Sequence, residues 1–300
     1  MSCHAVFLPC LVLMALVSGG LAAAAEPVPF EYAPDGAFKP YVKRLLSPGG
    51  VNVLRDQVPD HLHHHGLMFA VGVDGVDFWS ETPTCGRQVR RVPAGANAPA
   101  ANPAGVIAET IDWLPPGDAK PLARESRRIE VRAAPAGGAT LLSWRTALEP
   151  AEGRASIKLA GSHYFGLGMR FPAAMDNVAE FFTAKGPVDG EVVRGDERLT
   201  RGPWCACTGA IDGKTVTVAL FDSPGNPRPA WWFTMGKPFG YLSATLNLYR
   251  EPLTVEAGKP LVLVYGVAVW DGKVKADQIE SVYRQWLDAT KAAAPEQGTK

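Results

Sequence analysis

Four of the six histidines in the chain lie within the five positions 61–65. If this segment is extended, His61, His63 and His65 point to one face and His64 to the other, so that three imidazoles could bind a metal ion. If it is a tight loop, the histidines could form a general acid/base set in which the carboxylate of Asp60 orients one imidazole. A third interpretation makes the segment a structural polar corner. The sequence therefore leaves metal binding, acid/base chemistry and a structural role open.

Under the acid/base interpretation, the predicted catalytic residues are Asp60, His61, His63, His64 and Glu81. Glu81 follows Trp79 in segment 75–81, and a hairpin would bring this segment next to the histidines. Trp79 could then stack on a sugar face while Glu81 exchanges a proton. In the alternative interpretation, Trp79 belongs to the core and Glu81 is a solvated turn residue.

Residues predicted to bind substrate, together with Trp79, are His163, Arg170, Asn226 and Arg228. Arg170 lies on a glycine-containing strand and is expected to pair with a carboxylate, inside the protein or on a ligand. Asn226 lies between two prolines, which stiffen its loop and limit the entropy lost on binding. The aromatic run 231–233 beside this loop is typical both of a carbohydrate site and of a buried strand.

These side chains must be positioned by β-strands. Runs rich in Val, Ile, Leu and aromatic residues predict strands at 67–73, 106–113, 128–132, 140–148, 156–159, 164–171, 215–221 and 261–270. Many strands at short spacing predict an all-β fold, a large antiparallel β-sandwich. Near the C-terminus, apolar residues at helical spacing predict one helix that packs as a lid on the sandwich. Those residues are Ile279, Val282, Tyr283 and Trp286.

Residues 26–290 are predicted to form a single domain, followed by a disordered tail at 291–300. The stretch 93–105, rich in Pro, Ala, Gly and Asn, is expected to be a surface loop, because too few strands flank it for a separate core. Cys85 could form a disulfide with Cys205 or Cys207. The two later cysteines could instead bind zinc or be buried apolar side chains. The sequence identifies no cofactor.

The N-terminal segment has the pattern of a secretory signal peptide. An apolar stretch is followed by four alanines at 22–25, which predicts cleavage near Ala25 and a periplasmic or secreted protein. The apolar core is shorter than the roughly 20 residues of a transmembrane helix, so no membrane span is expected after cleavage. The chain carries 30 basic and 30 acidic residues, and this balance argues against nucleic acid as a partner.

Several spaced motifs resemble a bacterial family described as PmoA-like. They are Pro59-Asp60-His61-x-His63-His64-x-Gly66, Gly75-x-Asp77-Phe78-Trp79-x-Glu81, Tyr164-Phe165-Gly166-Leu167-Gly168-x-Arg170-Phe171 and Asn226-Pro227-Arg228. The resemblance implies a periplasmic or secreted protein of saccharide-degrading bacteria, with a sandwich like the galactose mutarotase supersandwich. Members often have Arg where this chain has His65, and a polar residue near the position of Phe233.

We therefore expect an exported carbohydrate-active protein that binds a small-molecule or oligosaccharide ligand in an open cleft. His61, His63 and His64 would share proton transfer in an epimerase, glycoside hydrolase or lyase type of reaction. The alternatives are a metal enzyme with histidine ligands and a non-catalytic carbohydrate-binding module.

The signal-peptide prediction is tested on the native protein. Intact-mass and N-terminal analysis are expected to find a chain that begins near Glu26, because the alanines at 22–25 form the cleavage region. A chain that retains Met1 and stays in the membrane would contradict it.

Overall fold

The computed structural model describes Met1 and residues 29–59, 61–92, 105–117, 120–134 and 138–292. Asp60 lies outside these ranges. So do positions 2–25 of the predicted signal peptide, positions 93–104 of the predicted loop and positions 293–300 of the predicted tail.

Strands make up most of the regular structure. In chain order they are β1 (Phe30–Ala33), β2 (Tyr41–Leu45), β3 (Leu67–Ala70), β4 (Gly72–Val73), β5 (Val76–Asp77), β6 (Arg87–Arg90), β7 (Val106–Leu114), β8 (Ala123–Ala133), β9 (Ala139–Pro150), β10 (Ser156–Ala160) and β11 (Gly166–Arg170). They continue with β12 (Glu180–Thr183), β13 (Gly186–Pro187), β14 (Glu191–Val192), β15 (Arg198–Arg201), β16 (Trp204–Ile211), β17 (Lys214–Asp222), β18 (Trp231–Met235), β19 (Tyr241–Thr245), β20 (Leu253–Glu256) and β21 (Leu261–Asp271). A 3-10 turn, Ala173–Met175, follows β11, and the helix α1 is Ala276–Ala292.

The strands form two large sheets and one small sheet, and neighbouring strands run antiparallel. The eight-stranded sheet has the order β1-β2-β3-β11-β19-β18-β15-β14, and the nine-stranded sheet has the order β13-β12-β16-β17-β21-β9-β8-β7-β6. The small sheet is β20-β10-β4-β5. The predicted fold class is therefore confirmed, an all-β antiparallel sandwich with a C-terminal helix.

Alternating side-chain directions along a strand explain how the nine-stranded sheet packs against two apolar clusters, one on each face. In β9, Leu142, Trp144 and Leu148 are buried in the main core shared with the eight-stranded sheet. Leu141 belongs to a second apolar cluster on the opposite face of the same sheet, together with Trp286. Successive side chains of a strand point to opposite faces of the sheet. A strand with apolar side chains on both faces is therefore covered by other elements on both faces.

Helix α1 covers the second face of the nine-stranded sheet. Ile279, Val282, Tyr283 and Trp286 are all buried, as the helical spacing predicted. The indole Nε1 of Trp286 donates to Ser143 Oγ at 3.0 Å, and the Tyr283 hydroxyl donates to the carbonyl of Asp222 at 3.0 Å. The helix includes Lys291 and Ala292, so the predicted tail began two residues too early. Within the described ranges, no helix has the length and apolar character that crossing a bilayer requires.

Two predicted strands differ from the structure. The predicted strand 67–73 is divided, because β3 pairs in the eight-stranded sheet while β4 pairs with β10 in the small sheet. Gly72 permits that second pairing, since a Cβ there would lie 3.0 Å from the carbonyl oxygen of Ala160. The predicted strand 164–171 is shorter, because a turn in which Phe165 N–H donates to Ser162 O precedes β11.

Cys85, Cys205 and Cys207, the cysteines within the described ranges, are free, so the disulfide considered from the sequence is absent. Cys205 and Cys207 are buried in β16, and burial raises the pKa of both thiols above the usual value. Zinc binds thiolate rather than thiol, and a raised pKa opposes thiolate formation. The interpretation of these two cysteines as small apolar core residues therefore fits the structure.

Removing Trp286 should destabilise the sandwich. Trp286→Ala is expected to lower the free energy of unfolding by about 3–5 kcal/mol, because the indole is buried against β9 and β21. The control is Arg284→Ala, two positions earlier on the exposed side of α1, with an expected loss of about 0.5 kcal/mol or less. Equal urea midpoints for the two variants would show that α1 does not cover a core.

Candidate functional site

The histidines lie in the loop 46–66 between β2 and β3. This segment is a turn rather than an extended strand, because His61 N–H donates to Val58 O at 3.0 Å and His64 N–H donates to His61 O at 2.8 Å. Gly66 ends the loop against β2, and a Cβ at this position would collide with the carbonyl of Val42. The sequence interpretation with three alternate histidines on one face is therefore wrong.

The turn brings His61, His63 and His64 together. The rings of His61 and His64 stack, with centroids 4.8 Å apart and planes inclined by 24°. The ring of His63 stands edge-on to that of His64 at 4.5 Å. All three imidazoles line one cavity of about 540 Å³. His65 does not line it.

Aromatic side chains form the floor and one wall of this cavity. Phe233 on β18 and Tyr241 on β19 share a sheet face, since Phe233 pairs with Ser243, two residues after Tyr241. The Tyr241 ring stacks on His64 at 5.6 Å, and the Phe239 ring contacts His61 at 4.9 Å. Gly168 leaves room for the Tyr241 ring to cross β11, because a Cβ there would collide with the Tyr241 hydroxyl.

Charged residues form the opposite wall, in loop 193–197 and the β18–β19 turn. Arg194 Nη2 donates to Glu197 Oε1 at 2.6 Å, and Asp196 Oδ2 accepts the amide N–H of Lys237 at 2.9 Å. Glu197 is only 5% exposed, and within the part of the chain that the structure describes its Oε2 has no hydrogen-bond partner. The two cationic and two anionic side chains balance, so the cavity does not require a charged ligand.

The cavity keeps two of its imidazoles neutral. Burial, followed by repulsion from His63 and His61, lowers the pKa of His64 to about 2. Burial, followed by electrostatic repulsion from Lys39 and His61, also lowers the pKa of His63. His63 is therefore neutral at pH 7 and able to accept a proton. His64 is too weak a base for that, and its buried Nδ1 has no hydrogen-bond partner among the residues described.

Behind the cavity, His65 lies between two carboxylates. Its Nδ1 is 2.9 Å from Asp56 Oδ1 and its Nε2 is 2.8 Å from Glu81 Oε1. Both nitrogens donate only in the imidazolium form. Although burial lowers the pKa of His65, hydrogen bonds from the ring to Asp56 and Glu81 outweigh it and raise the pKa above its usual value. The ring of Tyr41 stacks on this imidazolium at 4.1 Å.

Lys39 completes a buried network of alternating charges. Its Nζ is wholly buried and donates to Glu81 Oε1 at 2.6 Å and to the carbonyl of Trp79 at 2.9 Å. Two cations and two carboxylates thus neutralise each other under the histidine loop. Glu81 is engaged by Lys39 and His65 and does not line the cavity, which corrects its predicted role as a catalytic carboxylate.

Trp79 and Arg170 are also structural rather than ligand-facing. Trp79 is 1% exposed and stacks on Phe165 at 5.1 Å, so it cannot stack on a sugar. Arg170 is buried, and its Nη1 donates to Gly240 O at 3.1 Å and to Asp176 Oδ1 at 3.3 Å. Its guanidinium lies 3.9 Å from the centroid of the Phe239 ring. Arg170 therefore supports the cavity wall from behind.

Asn226 and Arg228 hydrogen-bond neighbouring groups of the protein and do not line the cavity. Asn226 Nδ2 donates to Asp222 Oδ1 at 2.7 Å, and Asn226 Oδ1 accepts the N–H of Val264 at 2.7 Å. Arg228 Nη1 donates to two carbonyls of the β19–β20 loop. His163 is next to the cavity, where its ring stacks on Phe233 at 6.3 Å. None of the predicted substrate-binding residues lines the cavity, but His163 lies beside it and Arg170 lies behind its wall.

Metal binding does not fit the ring geometry. An imidazole binds metal through a nitrogen lone pair in its plane, and the near-parallel planes of His61 and His64 do not direct both lone pairs to one point. No group of three His, Cys, Asp or Glu side chains in the described ranges could hold a metal ion.

Sequence reasoning missed Glu197, Lys39 and Asp56. Glu197 lies 133 positions after His64 in a charged turn at 194–197, and such a turn usually reads as solvated surface. Lys39 carries no local signal, because only the fold buries it. The Arg that the family resemblance places at position 65 was a signal for the carboxylates around this position, because a cation there indicates carboxylate partners.

The chain belongs to the DUF6807 family, a family of unknown function, whose profile matches residues 26–284. No curated protein matches it in sequence. The fold is similar to a variant of the GH36 alpha-galactosidase AgaA from Geobacillus stearothermophilus in complex with 1-deoxygalactonojirimycin, with 12% sequence identity and a TM-score of 0.39 over 72% of this chain and 32% of that chain. The 4-alpha-glucanotransferase from Thermococcus litoralis is 14% identical, with a TM-score of 0.27 over 77% of this chain and 34% of that chain.

This chain thus spans about a third of the length of those solved structures. At these TM-scores, the likeness carries no argument about function. The resemblance to PmoA-like proteins stays a prediction.

The network around His65 predicts a pH-dependent loss in His65→Gln. A raised folded-state pKa means that the imidazolium contributes stability that is complete below the unfolded value of about 6.5 and is lost as pH rises through the folded pKa. The variant should therefore lose most, about 1–3 kcal/mol, between about pH 5 and 6.5, and progressively less at higher pH.

Urea unfolding of both proteins at several pH values measures this difference. His163→Gln is the control, because His163 has no ion pair to a carboxylate among the described contacts and its pKa is lowered. A loss in His65→Gln that is the same from pH 5 to pH 9 would contradict the imidazolium assignment.

Proposed function

We propose that this member of the DUF6807 family is an exported carbohydrate-active protein that binds a saccharide or sugar derivative in the histidine-lined cavity and performs acid/base chemistry on it. The observation that carries the proposal is the neutral His63 beside His61 and His64 in a cavity with an aromatic floor. The N-terminal pattern supports the export part of the proposal.

The size and lining of the cavity favour a neutral polar ligand. Its volume of about 540 Å³ lies within the range of roughly 300–1,000 Å³ that small-molecule sites occupy. Tyr164, Phe233 and Phe239 offer aromatic surface to the apolar face of a sugar ring. The histidines and the charged wall supply hydrogen-bond partners for hydroxyl groups. Balanced charges on that wall favour a neutral ligand over a strongly ionic one.

The protonation states divide the roles among the cavity residues. His63 is the proton acceptor, since it is neutral at pH 7 and only partly buried. The imidazole of His64 lines the cavity and orients a ligand hydroxyl by a hydrogen bond. Glu197 lines the charged wall and provides a carboxylate acceptor for a second hydroxyl. His61 completes the polar wall. Epimerisation, glycoside cleavage and elimination all begin with a proton transfer of this kind.

The proposal predicts that His63→Gln abolishes turnover while the protein stays folded. A general base contributes about 10²–10⁴-fold to the rate, so turnover should fall by that factor, whereas the melting temperature should change little. The measurement is product formation from a panel of neutral saccharides and oxidised glycosides, together with calorimetric binding of the same compounds.

The matched control is Leu62→Ala, in the same loop between the histidines. Leu62 is exposed and does not line the cavity, so the variant should keep wild-type turnover. Binding by the wild-type protein without any turnover would support the non-catalytic carbohydrate-binding module instead. Loss of metal from His63→Gln, with a chelator giving the same effect on the wild type, would support the metal enzyme.

A further inference from the structure

A line of ring contacts connects the cavity with the protein surface. Phe233 lines the cavity, and the ring of His163 lies nearly parallel to it with centroids 6.3 Å apart. The ring of Tyr249 meets His163 edge-on at 5.0 Å. Tyr249 is 63% exposed, so most of its ring is open to solvent just outside the site.

The loop that carries Tyr249 is held in place although the ring is exposed. Arg228 Nη1 donates to Leu246 O at 2.9 Å and to Glu251 O at 2.7 Å, so it ties the two sides of the loop together. The neighbouring Arg250 forms an ion pair with Glu191 on β14. This anchoring gives Arg228, predicted from the sequence to bind substrate, a positioning role for Tyr249.

We propose that Tyr249 and His163 form a second sugar-binding subsite outside the cavity, so that the ligand is an oligosaccharide rather than a single sugar unit. One unit occupies the cavity and the next lies against Tyr249. The inference rests on the proposed function, because the cavity is the first subsite.

The chemistry of these residues suits a sugar ring. The apolar face of a pyranose packs on an aromatic ring, and a clamped loop reduces the entropy lost when the ligand binds. Polar groups flank the aromatic surface, namely the imidazole of His163 and the Arg250–Glu191 pair. These groups can donate and accept hydrogen bonds from ring hydroxyls. An exposed tyrosine without such an arrangement would be ordinary protein surface.

The test uses the full-length protein and ladders of neutral gluco- and galacto-oligosaccharides of one to six units, with calorimetric binding. In the wild type, affinity is expected to increase between a monosaccharide and its longer homologues. Tyr249→Ala should lower the affinity for the longer homologues by about tenfold and leave the affinity for the monosaccharide unchanged. Tyr249→Phe, which keeps the ring, should behave as the wild type. Val89→Ala is a second control, because Val89 is an exposed apolar residue on β6 of the other large sheet.

The outcomes separate this inference from the proposed function. If saccharides bind without any dependence on length, or if Tyr249→Ala binds long and short oligosaccharides as the wild type does, the second subsite is overturned. Saccharide binding in the cavity is then still supported. If no member of either ladder binds, the proposed function and the subsite fall together. A loss in Tyr249→Ala that is equal for all lengths would place Tyr249 in the support of the cavity and would also overturn the subsite.

Discussion

The histidine site depends on one partly buried imidazolium, that of His65, which hydrogen-bonds Asp56 and Glu81 at the same time. Buried charges are costly unless they are paired, and Lys39 supplies the fourth member that makes the group neutral. Because His65 follows His64 directly in the chain, fixing its side chain also fixes the turn that presents the other imidazoles. The charge of Lys39 has a second effect, since it helps to lower the pKa of His63. The network therefore sets both the position and the protonation state of the candidate base.

The sandwich provides the rigid surface on which this loop acts. The eight-stranded sheet presents Phe233 and Tyr241 on one face, and Arg170 supports Phe239 through Asp176 and Gly240. The contact of Arg170 with Gly240 joins segments 70 positions apart in the sequence. A site assembled from the β2–β3 loop, the β14–β15 loop and the β18–β19 turn requires the whole sheet to be formed, as is usual when loops carry function on a rigid scaffold.

The sequence predicted the fold better than the site. Alternation in β9 and helical spacing around Trp286 are local patterns, so the strands and α1 could be read directly. The histidine run was also visible, and a tight loop was one of its two expected conformations, but the choice between them depends on Gly66 packing against β2. Trp79 and Glu81 were assigned to the ligand because aromatic and acidic residues occur in sugar sites, yet burial decides their role and burial is a property of the fold. Glu197 was missed for the same reason.

In this site His63 and His64 are neutral, while their neighbour His65 is charged. Nitrogen-15 labelling of histidine, with imidazole spectra recorded from pH 5 to pH 9, measures each ring separately. We expect His65 to keep both ring protons above pH 6.5, His64 to stay neutral over the whole range, and His63 to lose its extra proton below pH 6.5. A neutral His65 at pH 6, or His63 and His64 protonated at pH 7, would contradict it.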